Sequence, residues 1–161
     1  TRCGDIDPAI VTYLMKKTGM TPDEMDDVMN KKSGMLGVSG ISSDARDIED
    51  ACKAGNPAAI LTTEVYVNRV INVVGGYYAQ LGGADAIVFT GGIGENDTNM
   101  RKLICARLEK AFGVKLNQEL NATSRGKEVL LSTEDSNIQV WLIPTNEELM
   151  IARDTYRLMN A

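Results

Sequence analysis

Histidine is absent from all 161 residues, so no Ser-His-Asp triad, Cys-His pair or His-ligated zinc site can be assembled from this chain alone. Cysteine is sparse: Cys3, Cys52 and Cys105 are an odd number at wide spacing without a CxxC pair. That usage suggests reduced thiols in a cytosolic protein, with burial as small apolar side chains their default role. No basic run stands out against a net charge of −5, from 22 acidic and 17 basic residues. Binding to nucleic acid or to an anionic membrane surface therefore has no compositional support, and a polyanionic ligand must meet local positive charge. No apolar stretch approaches the roughly 20 residues needed to span a bilayer, and TRCGDIDP is not a signal sequence. An initiator methionine is missing too, and Thr1-Arg2-Cys3-Gly4 reads as the interior of a longer protein. Internal repeats, low-complexity tracts and linkers are lacking, and cytoplasm is the expected location.

What is present fits one ordinary soluble domain, with 43% hydrophobic residues and enough length for a real core. The segment IVFTGGIGEND, Ile87 to Asp97, puts a glycine turn directly after a short apolar strand. Ile87, Val88 and Phe89 read as a run buried in a parallel sheet. Gly91, Gly92 and Gly94 remove the β-carbons that would keep a nucleotide from the backbone. In open α/β sheets, ligands bind beyond the carboxyl ends of strands, which is where this turn falls. A purely structural strand-to-helix turn is the competing reading.

Capping signals order the rest. Asp7-Pro8 starts a helix that runs to Gly19, and Thr21 to Glu24 forms a capping box for a second over Pro22 to about Lys32, the two making a hairpin. Met35 to Ser42 reads as a loop or short strand. Ser43 is the expected cap of a helix from Asp44 to Ala54. The longest helix follows Gly55-Asn56-Pro57, with Ile60, Val67, Ile71, Val74, Tyr78 and Leu81 on one apolar face. Gly75-Gly76 inside it suggests a close approach of another element. A helix over Thr98 to Phe112 is expected to turn Met100, Leu103, Ile104, Leu108 and Ala111 inward. Strand candidates follow at Val114 to Leu116, Val129 to Leu131 and Ile138 to Ile143, with a polar connector NQELNATSRGK between the first two. Asn146 is placed to cap a final helix, Glu147 to Met159, carrying Leu149, Met150, Ala152 and Leu158 inward.

Two further polar clusters stand out, Thr1 to Pro8 and Ser42 to Asp47. In SSDARD, Asp44 and Arg46 open a helix beside two serines, where backbone N–H groups favour an anion and Arg46 suits a phosphate or a purine face; capping alone also accounts for the pattern. Glu147 follows a strand through Pro-Thr-Asn, and a carboxylate there suits a magnesium ion or simply the helix dipole.

TRCGDIDPAI, GVSGISSDARDIE, VFTGGIGEN and PTNEELMIARDT, in this order and at these separations, closely resemble the carboxyl-terminal part of the acetate kinase family. The resemblance covers nearly the whole chain. It implies a place in the acetate and sugar kinase, Hsp70 and actin superfamily. The fold class expected is α/β, a ribonuclease H-like carboxyl-terminal domain that is helix-rich and lacks its first strands, with residues 1–161 forming one incomplete nucleotide-binding domain. The resemblance further implies that Arg2 acts on the transferring phosphoryl group, and that Asp44, Ala45 and Arg46 contact the adenosine side of ATP. Gly92, Ile93, Gly94, Glu95 and Asn96 would form the adenine and ribose turn. Glu147 would be the magnesium-associated glutamate, with Glu148 a weaker candidate.

The implied reaction is reversible, in-line transfer of the ATP γ-phosphoryl to acetate, giving acetyl phosphate and ADP. It needs positioning and charge stabilisation, and no general base for an acceptor that is already an anion. The amino-terminal domain of such kinases, with its acetate pocket, is not represented, so the chain alone is expected to be inactive, with an exposed sheet edge and apolar helix faces. A homodimer is implied, with the long helix a contributor. The alternatives are a propionate or butyrate kinase, a non-catalytic dimerisation module, and a dinucleotide-binding oxidoreductase. For the last, Gly92-Ile93-Gly94 begins a Rossmann fingerprint whose third glycine is replaced by Asp97.

Overall fold

Capping chemistry sets the boundaries of the first helices. In the computed structural model, which describes residues 1–160, the Asp7 carboxylate accepts the Ala9 N–H and Pro8 opens α1 (Pro8–Thr18). Thr21 and Glu24 exchange the two bonds of a capping box at the start of α2 (Pro22–Lys31). The glycine-interrupted stretch beyond it, expected as loop or strand, contains a helix, α3 (Gly34–Ser39). Its glycines answer to crowding: a Cβ on Gly37 would lie 2.8 Å from the Lys32 carbonyl oxygen. The next helix, α4 (Ala45–Lys53), starts one residue later than expected. Asp44 is its cap in place of Ser43, because the Asp44 carboxylate reaches the Arg46 N–H at 2.9 Å. Asn56 accepts from the N–H groups of Ala58 and Ala59 and starts α5 (Pro57–Leu81).

The remaining elements are β1 (Ala86–Phe89), α6 (Gly91–Asn96), α7 (Thr98–Phe112), α8 (Gln118–Thr123), β2 (Val129–Leu130), β3 (Gln139–Leu142) and α9 (Glu147–Met159). Internal packing divides the chain into two compact units, Thr1–Arg69 and the part from Val70 onward, the boundary falling inside α5. In the first unit Met25, Ile48, Ala59 and Val67 form the buried apolar core, joined by buried Ser39, Thr62 and Thr63. The second has the larger core, including Met100, Ile104, Leu108, Leu131, Val140 and Leu142.

The sheet belongs to the second unit and has the order β1-β3-β2. β1 and β3 are parallel, with Ala86 opposite Gln139 and Phe89 opposite Leu142, and β2 pairs antiparallel to β3. β1 is therefore an edge strand, and Val88 is 48% exposed where burial on both faces was expected. The candidate strand at Val114 to Leu116 amounts to a single bridge from Leu116 to Ser132. The polar connector after it holds α8, capped by the Asn117 side chain on the Leu120 N–H.

Periodicity located helices more faithfully than it located their inner faces. Ile60 and Leu81 of α5 are 47% and 75% exposed, and open space surrounds the Cβ positions of Gly75 and Gly76, so the expected close approach is not made among the described residues. On α7 the buried set is Met100, Arg101, Ile104, Cys105 and Leu108, while Ala111 is exposed. α9 spans the residues expected but has no buried residue, and Leu149, Met150, Ala152 and Leu158 all face solvent.

Candidate functional site

Arg2 lies in the first unit on a strap that the backbone holds down at both sides. The Thr1 carbonyl accepts the Ser33 N–H, and the Cys3 N–H donates to the Met29 carbonyl, both at 2.8 Å. Gly34, at φ 63°, lies beneath the strap, and a Cβ there would come within 2.8 Å of the Arg2 carbonyl oxygen. Asp5 is ion-paired with Arg69 of α5. The strap borders a cleft of about 590 Å³ lined in part by Cys3, Lys32, Met35 and Tyr66. Arg2 is exposed, and its guanidinium makes no hydrogen bond or ion pair among the described residues. A fixed backbone thus carries a free fork of donors, the form in which arginine takes an oxyanion bidentately.

Asp44, Ala45 and Arg46 lie in the same unit, at the start of α4. Arg46 doubles back on its own cap: Nε donates to Asp44 Oδ1 at 3.0 Å and Nη2 to Oδ2 at 2.6 Å. These bonds, with the Arg46 backbone N–H, hold the Asp44 carboxyl down to about 2. Ser42 Oγ accepts the Asp44 N–H and donates to Asp47. The Arg46 side chain is 88% exposed, which leaves its plane open to a flat partner.

Gly92, Ile93, Gly94, Glu95, Asn96 and Glu147 belong to the second unit. The residues expected as a turn form the short helix α6. The parallel pairing of β1 with β3 brings the exits of both strands side by side, and the Ile143 N–H donates to the Phe89 carbonyl at 3.0 Å. Gly92 borders open space, as a ligand-facing backbone requires. Gly94 has another cause, since a Cβ there would meet the Phe89 backbone at 3.2 Å. Asn96 returns its amide to the Gly92 carbonyl. The Glu95 side chain is engaged by two backbone amides, those of Gly91 and Thr145. Glu147 stands two residues beyond Thr145 in the first turn of α9, exposed and without a side-chain partner among the described residues.

One contributor had no signal in the sequence. Arg101 is completely buried, yet no carboxylate pairs with it among the described residues. Four hydrogen bonds join its guanidinium to neutral oxygens: Nε meets Asn121 Oδ1 at 2.8 Å, Nη1 the Gly94 carbonyl at 2.7 Å, and Nη2 the carbonyls of Asn121 at 3.3 Å and Ser124 at 2.6 Å. Burial pushes its pKa down from the ordinary arginine value. The guanidinium ties α6 to α7 and α8, so it supports the glycine helix from beneath. An arginine in a helical pattern reads as solvated surface until its acceptors, 20 and 23 residues away, are seen. Cys105, one turn on, is buried too, which pushes its thiol up to about 12, whereas Cys3 and Cys52 are only half-buried.

A short mixed sheet whose parallel β1–β3 pair leads into a glycine helix, set in a helix-rich chain, is that of a partial α/β domain of the actin-like ATPase class. The chain belongs to the Acetokinase family, whose model matches residues 1–153. It is 53% identical to the acetate kinase of Dictyoglomus turgidum over 159 residues, covering 99% of this chain and 39% of that protein. With the acetate kinase of Clostridioides difficile it shares 54% over 159 residues, again 99% of this chain and 39% of the relative. The structure superposes on the Porphyromonas gingivalis acetate kinase with a TM-score of 0.90 at 44% identity, over 99% of this chain and 40% of that one. For a propionate kinase from Francisella tularensis the TM-score is 0.86 at 36% identity, over 94% and 38%. The chain thus spans about two fifths of the length of the curated relatives it matches.

Proposed function

We propose that this chain is the carboxyl-terminal, nucleotide-binding part of an ATP-dependent acetate kinase and works only together with an amino-terminal part of the kind its relatives carry. The observation that carries this reading is the identity of 53% with an acetate kinase over 159 residues, and the family model's match to residues 1–153 takes in every candidate residue. The local geometry agrees with it. Arg2 presents an unpaired guanidinium from an anchored backbone, suited to the oxygens of a phosphoryl group in transfer, where charge stabilisation and alignment are the main demands. Asp44, Ala45 and Arg46 would meet the adenosine side of ATP, and Gly92 to Asn96 the adenine and ribose.

Magnesium would be held at Glu147. An exposed carboxylate without a partner fits an ion that takes one or two protein carboxylates and otherwise keeps phosphate oxygens and water. No cluster of three acidic or sulfur ligands exists among the described residues, which suits an ion arriving with the nucleotide better than a resident one. Bound there, magnesium supplies charge neutralisation on the phosphates.

Acetate is favoured over propionate as the acceptor, since the curated relatives at 53% and 54% identity are acetate kinases, whereas the solved propionate kinase is 36% identical. We also assign the chain to a homodimer formed through α5, where Val73, Tyr77 and Leu81 are exposed, and to the cytoplasm. No helix among the described residues is long and apolar enough to cross a membrane.

The test is a chimera in which this chain replaces the matching part of the Dictyoglomus turgidum acetate kinase. Acetate-dependent ADP formation is expected from the chimera, lost on Arg2→Ala, and absent from the 161-residue chain alone. A folded chimera without turnover overturns the kinase reading, and turnover by the isolated chain overturns the need for an amino-terminal part.

A further inference from the structure

We infer that Glu95 is a positioning residue whose carboxylate staples the start of the glycine helix to the start of α9, and so sets where Glu147 stands relative to the nucleotide turn. The inference rests on the kinase reading above and deepens it.

A single carboxylate oxygen, Oε1, accepts the Gly91 N–H at 3.0 Å and the Thr145 N–H at 2.8 Å. Gly91 is the second residue after the β1 exit and the first of α6, and Thr145 lies in the turn that follows β3, 50 residues from Glu95 in sequence. The staple is reinforced beside it: Thr90 Oγ1 and Thr145 Oγ1 are 2.6 Å apart, and Thr145 Oγ1 also accepts from the Gly91 N–H at 3.2 Å. Both amides belong to positions where no ladder partner is available, since β1 ends at Phe89 and β3 at Leu142. Without Glu95 the Thr145 N–H would turn to water and the Gly91 N–H would keep only its longer bond to Thr145 Oγ1.

The consequence passes along the chain in two short steps. Asn146, next to Thr145, caps α9 through its side chain on the Leu149 N–H, and Glu147 is the first residue of that helix. α9 has no buried residue, so this cap and the Glu95 bond are what hold its first turn in place. On the other side, α6 is held by Arg101 on the Gly94 carbonyl and by the Gly126 N–H on the Glu95 carbonyl. One end of the staple is therefore tied into the fold, and the other is the exposed start of the helix that carries Glu147. An outer carboxylate of this kind tunes a metal ligand without touching the ion. An accepting oxygen is all the geometry uses, so an amide suffices in place of the carboxylate.

The experiment compares Glu95→Ala with Glu95→Gln. In the 161-residue chain, amide exchange is followed at Gly91, Thr145 and the first turn of α9. In the chimera, KM for ATP, kcat and the Mg2+ concentration for half-maximal rate are measured. Glu95→Ala is expected to abolish protection at Thr145 and lower it at Gly91, and to raise the Mg2+ requirement about 10- to 100-fold with a much smaller change in KM for ATP. Glu95→Gln restores both readouts to near wild type. A rise in KM for ATP alone, with amide protection and Mg2+ response unchanged, means that Glu95 acts only as a nucleotide contact and overturns the inference, as does a Gln variant as impaired as Ala. Should Glu95→Ala not fold, Thr145→Val removes the hydroxyl part of the staple: the Mg2+ requirement is expected to rise about threefold or more, and no rise overturns the inference. A wild-type chimera without turnover fails for a different reason and overturns the kinase reading itself, and this inference with it.

Discussion

Single residues in this chain serve two ends at once, and the Asp44–Arg46 pair shows how that can be measured. Asp44 caps α4 and also holds the guanidinium that would face the nucleotide. Its carboxyl is held at about 2, below the roughly 3.9 of an unfolded aspartate. A depressed pKa means that the stabilisation is complete above the unfolded value and is lost as pH falls through the folded one. The NMR titration midpoint of Asp44 is therefore expected near 2 in the wild type and closer to the unfolded value in Arg46→Ala, where the backbone N–H bond remains but the guanidinium bonds are gone. An unchanged midpoint in that variant would mean that Arg46 is not the cause. Arg101 is the contrasting case, a charge buried among neutral acceptors whose removal would take a donor from the carbonyls of Gly94 and Ser124 and from Asn121 Oδ1.

Elements differ in how much of their position they determine themselves. α1, α2, α7 and α9 start where their caps say, since a cap is a contact within three residues. The start of α4 was misjudged by one residue because two serines and an aspartate compete for the same role and only the geometry of the turn decides. α5 is limited by Gly75-Gly76, which have no neighbours at their Cβ positions and lie in a helix interior. Alanine at both should raise the stability of the isolated chain by about 1 kcal/mol per site in thermal or urea unfolding. If α5 is the dimer helix, the same substitutions weaken association of the chimera, because two added methyl groups then meet a second backbone. Stabilisation without any effect on association would detach Gly75-Gly76 from the interface.

At the scale of the molecule, the exposed apolar residues make a pattern. Ile10, Tyr13 and Leu14 on α1, Val73, Tyr77 and Leu81 on α5, and Ile151, Tyr156 and Leu158 on α9 are all more than a third exposed. Patches of this kind are uncommon on a protein that works alone. The isolated chain should therefore self-associate, giving a light-scattering mass above its 17.5 kDa at micromolar concentration; a stable monomer would count against the proposed dimer. The sequence by itself determined the starts of α1, α2, α5, α7 and α9, the places of β1 and β3 and the family, because caps, turns and motif residues act through neighbours a few positions away. The tertiary structure alone decided which faces are covered: β1 became an edge, α9 buried nothing, and Arg101 went inside. It also decided that Glu95 reaches Thr145, 50 residues on. Burial and long-range hydrogen bonds depend on what the folded chain lays against a residue, and no local pattern encodes that.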